Sequence, residues 1–251
     1  MPARERSSVE EPSRFANMAS ACHFITGFPP GADSAGKEEE IFPWFVAPAV
    51  IVGLLSMLVL LVSGGGSPLA KVIGPVLLVI FWALVSRGKN LLAMGALVER
   101  LVGRFFRKKG HEDDMDLPIS IVAIGLVTIV KLALLGMLIH GRQWGIIFLV
   151  PVCSVYYAAE LSAGLGYLGG GLKGYTPARL KTLCLFLLLG LLALFNFSGL
   201  FMVGVIWLIV RAVTAFAWYL SEDLHEEIIN GGTELVELLV ILVAASFLFA
   251  S

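Results

Sequence analysis

The sequence predicts an all-α fold, a polytopic integral membrane helical bundle of about seven transmembrane helices. Three observations carry this. Hydrophobic residues make up 58% of the 251-residue chain and charged residues only 15%, with a mean hydropathy of +0.89, well outside the range of soluble domains. The apolar residues fall in blocks of about 20, the length that crosses hydrocarbon as a helix. Positive charge gathers in the segment 87–117, which holds seven of the 18 lysines and arginines; beside apolar blocks, that marks the cytoplasmic side.

The elements follow in chain order. Residues 1–14 are polar and carry no apolar core, so they read as a disordered N-terminus and not as a signal peptide. Residues 15–251 form one membrane domain. From Phe15 the pattern changes: Phe15, Met18, Ala19, Cys22, Phe24 and Ile25 favour one helical face, which predicts a helix lying on the membrane. Gly27 and the Pro29–Gly31 turn end it. The spans are expected at 42–63, 68–86, 118–140, 144–161, 180–199, 200–220 and 233–250. Seven spans with segment 87–117 inside place the N-terminus and the loops 162–181 and 221–232 on the cytoplasmic side as well, in a prokaryotic inner membrane.

Within 87–117, residues 90–109 are amphipathic. Arg100, Arg104, Arg107 and Lys108 share one face, and Leu97, Val98, Leu101, Val102 and Phe105 cover much of the other. Such a helix suits a membrane surface, where apolar side chains enter the interface and cations meet anionic lipid heads. The same cations, Arg100 and Arg104 first, are candidates to receive a phosphorylated substrate. Downstream, His111, Glu112, Asp113, Asp114 and Asp116 offer carboxylate oxygens suited to Mg²⁺, although charge runs beside a span are usually solvated.

The strongest signal from residue chemistry lies near the C-terminus. Glu222, Asp223, His225, Glu226 and Glu227 precede Glu234 and Glu237. Glu227, Glu234 and Glu237 share a face on one continuous helix, which Asn230-Gly231-Gly232 would interrupt. Glutamates about one turn into a membrane helix are costly and mark a polar cavity or a paired partner. Lys131, Glu160 and Arg211 also lie inside apolar blocks. An ion pair of Lys131 or Arg211 with Glu234 or Glu237 satisfies the same facts as a substrate site. A small transporter would use these charges as a polar path, but the spans lack paired short, Gly/Pro-broken helices. Cys22, Cys153 and Cys184 show no metal or disulfide spacing. No catalytic triad, Walker loop or nucleic-acid patch is present, so no nucleic-acid partner is expected.

Several of these residues fall in a familiar order. FITGFPP at 24–30, KLALL at 131–135 and TELVELLVIL at 233–242 resemble the corresponding stretches of the cobalamin synthase family, the adenosylcobinamide-GDP ribazoletransferases. In that family an Asp-rich motif, DGLADTxDG, follows the second span and binds a divalent metal. The matching slot here is Asn90–Val98, with Asn90, Met94 and Leu97 where three aspartates would stand. The family's DSRxGTxG matches Asp113–Ser120 only at Asp113. Its GGLTGDxxGAxxE corresponds to Glu222–Glu234, where Glu227 replaces the aspartate and Glu234 is kept, followed by Glu237. Val155 stands for an expected arginine.

The resemblance implies cytoplasmic-face transfer of a GDP-activated corrinoid to α-ribazole or its phosphate, releasing GMP, with Mg²⁺ as cofactor. On that reading Glu227, Asp113 and Asp223 hold the metal, Glu234, Glu237 and Lys131 are catalytic, and Arg100 and Arg104 bind substrate. The partners implied are a corrinoid, a nucleotide and membrane lipid. The missing acids equally imply a degenerate paralogue without turnover, binding a corrinoid, a lipid, a membrane partner subunit or a second copy of itself.

Overall fold

The computed structural model describes residues 14–26, 41–64, 67–107, 119–165, 177–193, 197–220 and 225–250. Every extended element among them is helical: α1 (Arg14–Thr26), a short 3₁₀ turn (Phe42–Phe45), α2 (Val46–Val62), α3 (Pro68–Val85), α4 (Lys89–Arg107), α5 (Ile119–His140), α6 (Trp144–Leu165), α7 (Pro177–Ala193), α8 (Phe197–Leu220) and α9 (His225–Ala250).

Five stretches are long and apolar enough to cross a membrane: 42–62, 119–140, 144–162, 201–219 and 228–247. α3 and α4 meet that standard only as a pair broken by an 87° bend, which raises the count to six. α7 spans only 17 residues. Side chains such as Leu58, Leu61, Val72, Leu126, Ile129, Phe201 and Leu208 are exposed on the outside of the bundle, the inverse of a soluble surface.

α6 and α9 form the interior. Of their spans 83% and 67% is buried, against 28% for α5. α6 packs on α2 and α9, while α9 also packs on α4, α5 and α8. Close approach explains the glycines. A Cβ on Gly53 would strike the Phe148 ring at 2.7 Å, and one on Gly231 would sit 3.1 Å from the backbone of Ala93 and Met94. Small residues that let two backbones meet are the usual solution for helices surrounded by hydrocarbon.

α1 packs on the 3₁₀ turn and α2 through Asn17, Ser20 and Ala21, and Phe15 of its apolar stripe is 74% exposed. The structure departs from sequence expectation in two places. α4 is amphipathic, but protein covers its apolar face. It packs extensively on α9 and also on α5, burying Met94 and Leu97, so that face is not free for lipid. Finally, Asn230-Gly231-Gly232 does not break a helix. α9 runs unbroken from His225, because the two glycines are needed for packing and not for a turn.

The bend between α3 and α4 is built from a left-handed cap. Arg87 (φ 52°) and Gly88 (φ 72°) both take positive φ. The Gly88 N–H donates to the Ala83 carbonyl at 2.7 Å and the Arg87 N–H to that of Leu84 at 3.1 Å, the bond pair of a Schellman motif. α5 ends the same way at Arg142, with Gln143 donating to Leu138 at 2.9 Å and Arg142 to Ile139 at 3.1 Å.

Candidate functional site

The candidate site grows from the inner stripes of α5 and α9. On α5, Lys131, Leu135, Leu138 and Ile139 are buried while Ile129 and Val130 face outward, so helical period alone turns the lysine inward. On α9, Glu234, Glu237, Ile241 and Ala244 repeat at helical spacing and are all buried. Because α9 begins at His225, the two glutamates lie nine and twelve residues into it, roughly 14–18 Å along the axis. They are not one turn from its start.

The stripes meet at an ion triad. Lys131 Nζ lies 2.7 Å from Glu234 Oε1 and 2.5 Å from Glu237 Oε2. All three residues are at most 5% exposed. The ammonium also sits 4.9 Å from the centroid of the Trp82 ring, a cation–π contact that strengthens when water is excluded. Trp82 is oriented in turn, since its Nε1 donates to Ser56 Oγ at 2.8 Å and Ser56 donates to the Val52 carbonyl at 2.8 Å. The Ser154 hydroxyl lies beside the Glu237 carboxyl.

A cavity of about 40 Å³ adjoins the triad, bounded among others by Ser86 and Asn90 at the α3–α4 bend, Ser154 on α6, and Asn230, Thr233 and Glu237 on α9. That is room for about three water-sized groups.

The sequence candidates divide clearly. Lys131, Glu234 and Glu237 are brought together. Arg211 does not join them: its Nη1 pairs with Glu160 Oε1 at 3.2 Å, and its guanidinium lies 6.0 Å from the Trp207 ring. Arg100 is exposed, ten residues along α4 from Asn90 and so roughly 15 Å further along the axis. Asp113 and Asp223 lie outside the described residues, as do the side chains of Arg104 and Glu227. The backbone of Glu227 is on α9, seven residues before Glu234.

The three residues assigned to Mg²⁺, Glu227, Asp113 and Asp223, have no described side chain. No group of three His, Cys, Asp or Glu side chains able to hold a metal occurs among the described residues. At the slot facing α9, Asn90 supplies an amide, while Met94 and Leu97 are buried apolar groups; a hard cation wants charged oxygen there. Glu234 and Glu237 already share an ammonium. Sequence reasoning missed Trp82 and Ser56, and the cavity that Asn90, Asn230 and Glu237 help to line. Only Gly231-Gly232 on α9 signalled that two helices close up at this point.

The architecture and site thus define a class: a helical bundle with an apolar outer surface and a buried, mixed-charge triad at its centre. No protein-family model, curated protein or solved structure matches this chain.

Proposed function

We propose that this chain is a non-catalytic membrane protein built on a cobalamin-synthase-like scaffold, serving as a binding or partner subunit and not as a transferase. The observation that carries this reading is the pairing of both Glu234 and Glu237 with Lys131, opposite a slot in which Asn90, Met94 and Leu97 provide no carboxylate. Phosphoryl-group transfer needs metal ions or free cations to offset charge on the phosphates. Here both retained acids are instead held by Lys131, the one lysine buried among the described residues.

The resemblance itself draws support from packing. The stretches matched to the family's first and last acidic motifs are about 140 residues apart in sequence, yet Gly231 meets the backbone of Ala93 and Met94. In this reading α3 and α7 also cross the bilayer. At 18 and 17 residues they reach roughly 26–27 Å against a hydrocarbon core of about 30 Å. Seven spans result, with the α3–α4 bend and its basic residues on the cytoplasmic side of an inner membrane.

The rival is an active adenosylcobinamide-GDP ribazoletransferase using Mg²⁺ held by Glu227, Asp113 and Asp223. Purified protein in lipid, supplied with adenosylcobinamide-GDP, α-ribazole and Mg²⁺, decides between them. The expected result is no GMP release while an active family enzyme releases it in parallel. Release that disappears in Glu227→Gln overturns the proposal.

A further inference from the structure

We propose that the cleft between α6, α7 and α8 seats one acyl chain of a membrane lipid whose headgroup is anionic. The inference stands on the packing of these three helices and does not use the scaffold's resemblance.

Helical period builds the cleft. α6, α7 and α8 each line it at i, i+3, i+4 and i+7, within residues 149–156, 183–190 and 203–210, the spacing of one helical face. The three stripes enclose about 40 Å³, room for about three groups the size of a water or a methylene. Tyr156 and Phe186, with ring centroids 4.9 Å apart, are buried in its floor. Cys153, Leu183, Leu187 and Trp207 are only half-buried, and Leu188 and Leu208 beside them are exposed. The cleft therefore opens onto the apolar outer surface of the bundle, where the neighbouring phase is hydrocarbon. One end is closed, because a Cβ on Gly190 would already lie 3.3 Å from the methyl groups of Val203.

The other end selects the headgroup. One helical turn beyond Tyr156, Leu183 and Trp207 stand Glu160, Arg179 and Arg211. They meet: Arg211 Nη1 lies 3.2 Å from Glu160 Oε1, and Arg179 Nη2 lies 3.5 Å from the Glu160 carbonyl. Arg179 is two residues into α7 and Glu160 is five from the end of α6, so this is the level of lipid heads and not of chain ends. The Arg211 side chain is 33% exposed while that of Glu160 is 8% exposed. A headgroup reaching this end thus meets the guanidinium before the acid, and a guanidinium favours phosphate, which it binds through paired N–H donors. A helix of a second copy would match the apolar stripe but would bring no anion to Arg211. An apolar cleft that ends at an outward-facing arginine instead complements an amphiphile with a hydrocarbon tail and an acidic head.

The test titrates the full, delipidated chain in neutral detergent with phosphatidylglycerol or phosphatidylcholine and counts bound lipid by native mass spectrometry. One phosphatidylglycerol per chain is expected to bind ahead of all later ones. It should bind about fivefold more tightly than phosphatidylcholine, the effect of one basic side chain on an anionic head. Leu187→Phe and Cys153→Phe, each filling the cleft from its rim, should remove this first site. Arg211→Gln, whose amide can still donate to Glu160, should keep one bound lipid and lose the preference between heads. Glycerol phosphate, which has the head without the chain, should not compete. A statistical ladder with no first site overturns the proposal, as does a first site that survives both cleft-filling variants. Equal affinity for the two lipids overturns the anionic head, and competition by glycerol phosphate would place binding at the arginines alone. A dimer that forms as lipid is removed, and that the cleft-filling variants break, would make a second copy the occupant and overturn it too.

Discussion

At the scale of single residues, the triad sets an order of severity. Removing Lys131 leaves two buried carboxylates facing each other, whereas removing one glutamate leaves a matched pair. Breaking a buried ion pair by deleting one partner costs about 3–5 kcal/mol. Lys131→Met is therefore expected to lose about that much stability, and Glu234→Gln distinctly less, read from thermal unfolding in detergent. The triple change Lys131→Met, Glu234→Gln, Glu237→Gln should recover much of the loss, because uncharged side chains of similar volume leave no unpaired charge. A triple variant as unstable as Lys131→Met alone would mean that the shape of the triad matters more than its charge. A second residue-scale prediction concerns Arg142, an exposed arginine held at φ 54°. Left-handed backbone disfavours any residue with a Cβ by about 1–2 kcal/mol, so Arg142→Gly should stabilise the protein by about 1 kcal/mol, seen as a raised melting temperature.

At the scale of elements, the contact between α6 and α9 is the tightest that the sequence hints at. A Cβ on Gly232 would overlap the Tyr157 hydroxyl and lie 2.5 Å from its ring carbon Cζ. Tyr157 cannot step aside freely: it is fully buried, and its hydroxyl donates to the Ile228 carbonyl at 2.9 Å. Gly232→Ala is expected to cost at least 1–3 kcal/mol, roughly the penalty of overpacking, despite alanine's better helix propensity. In a Tyr157→Phe background, where the nearest atom is gone, the penalty should shrink; an unchanged penalty would point to backbone conflict instead. These glycines also show where sequence reading fell short. Two adjacent glycines weaken a helix by local propensity, which favoured a break at Asn230-Gly231-Gly232. Tertiary packing overrode that preference, and only the neighbouring helix reveals why. The same logic applies to α4, whose apolar stripe was legible but whose cover was not. An amphipathic pattern states that a face is buried, not whether lipid or protein buries it. Helical period turned Lys131, Glu234 and Glu237 to one side legibly, whereas their convergence needed the fold. Trp82 carried no signal beyond being apolar.

At the scale of the whole molecule, the open quantity is which helices cross the membrane, and accessibility decides it. In the seven-span arrangement, the α3–α4 bend and the end of α5 lie on opposite faces, because α5 crosses once between them. Residues 194–196, between α7 and α8, then share the face of Arg142. If α7 did not cross, that junction would fall on the side of Arg87. The two short helices are therefore discriminated by three positions. Single cysteines at Arg87, Arg142 and Asn196, introduced with Cys22, Cys153 and Cys184 replaced by serine or alanine, can be challenged with a membrane-impermeant maleimide. The reagent is applied first to intact cells and then to inverted vesicles. Cysteine at 142 and at 196 should label from outside, and cysteine at 87 only in inverted vesicles. Opposite labelling of 142 and 196 would leave α7 uncrossed. Labelling of 87 from outside would mean that α3 does not return across the membrane. In that case the bend of 87° would belong to a helix that enters and leaves on one side, and the cavity beside Glu237 would open to the exterior. Side of access thus fixes more than topology: it determines which compartment the cavity beside Glu237 faces.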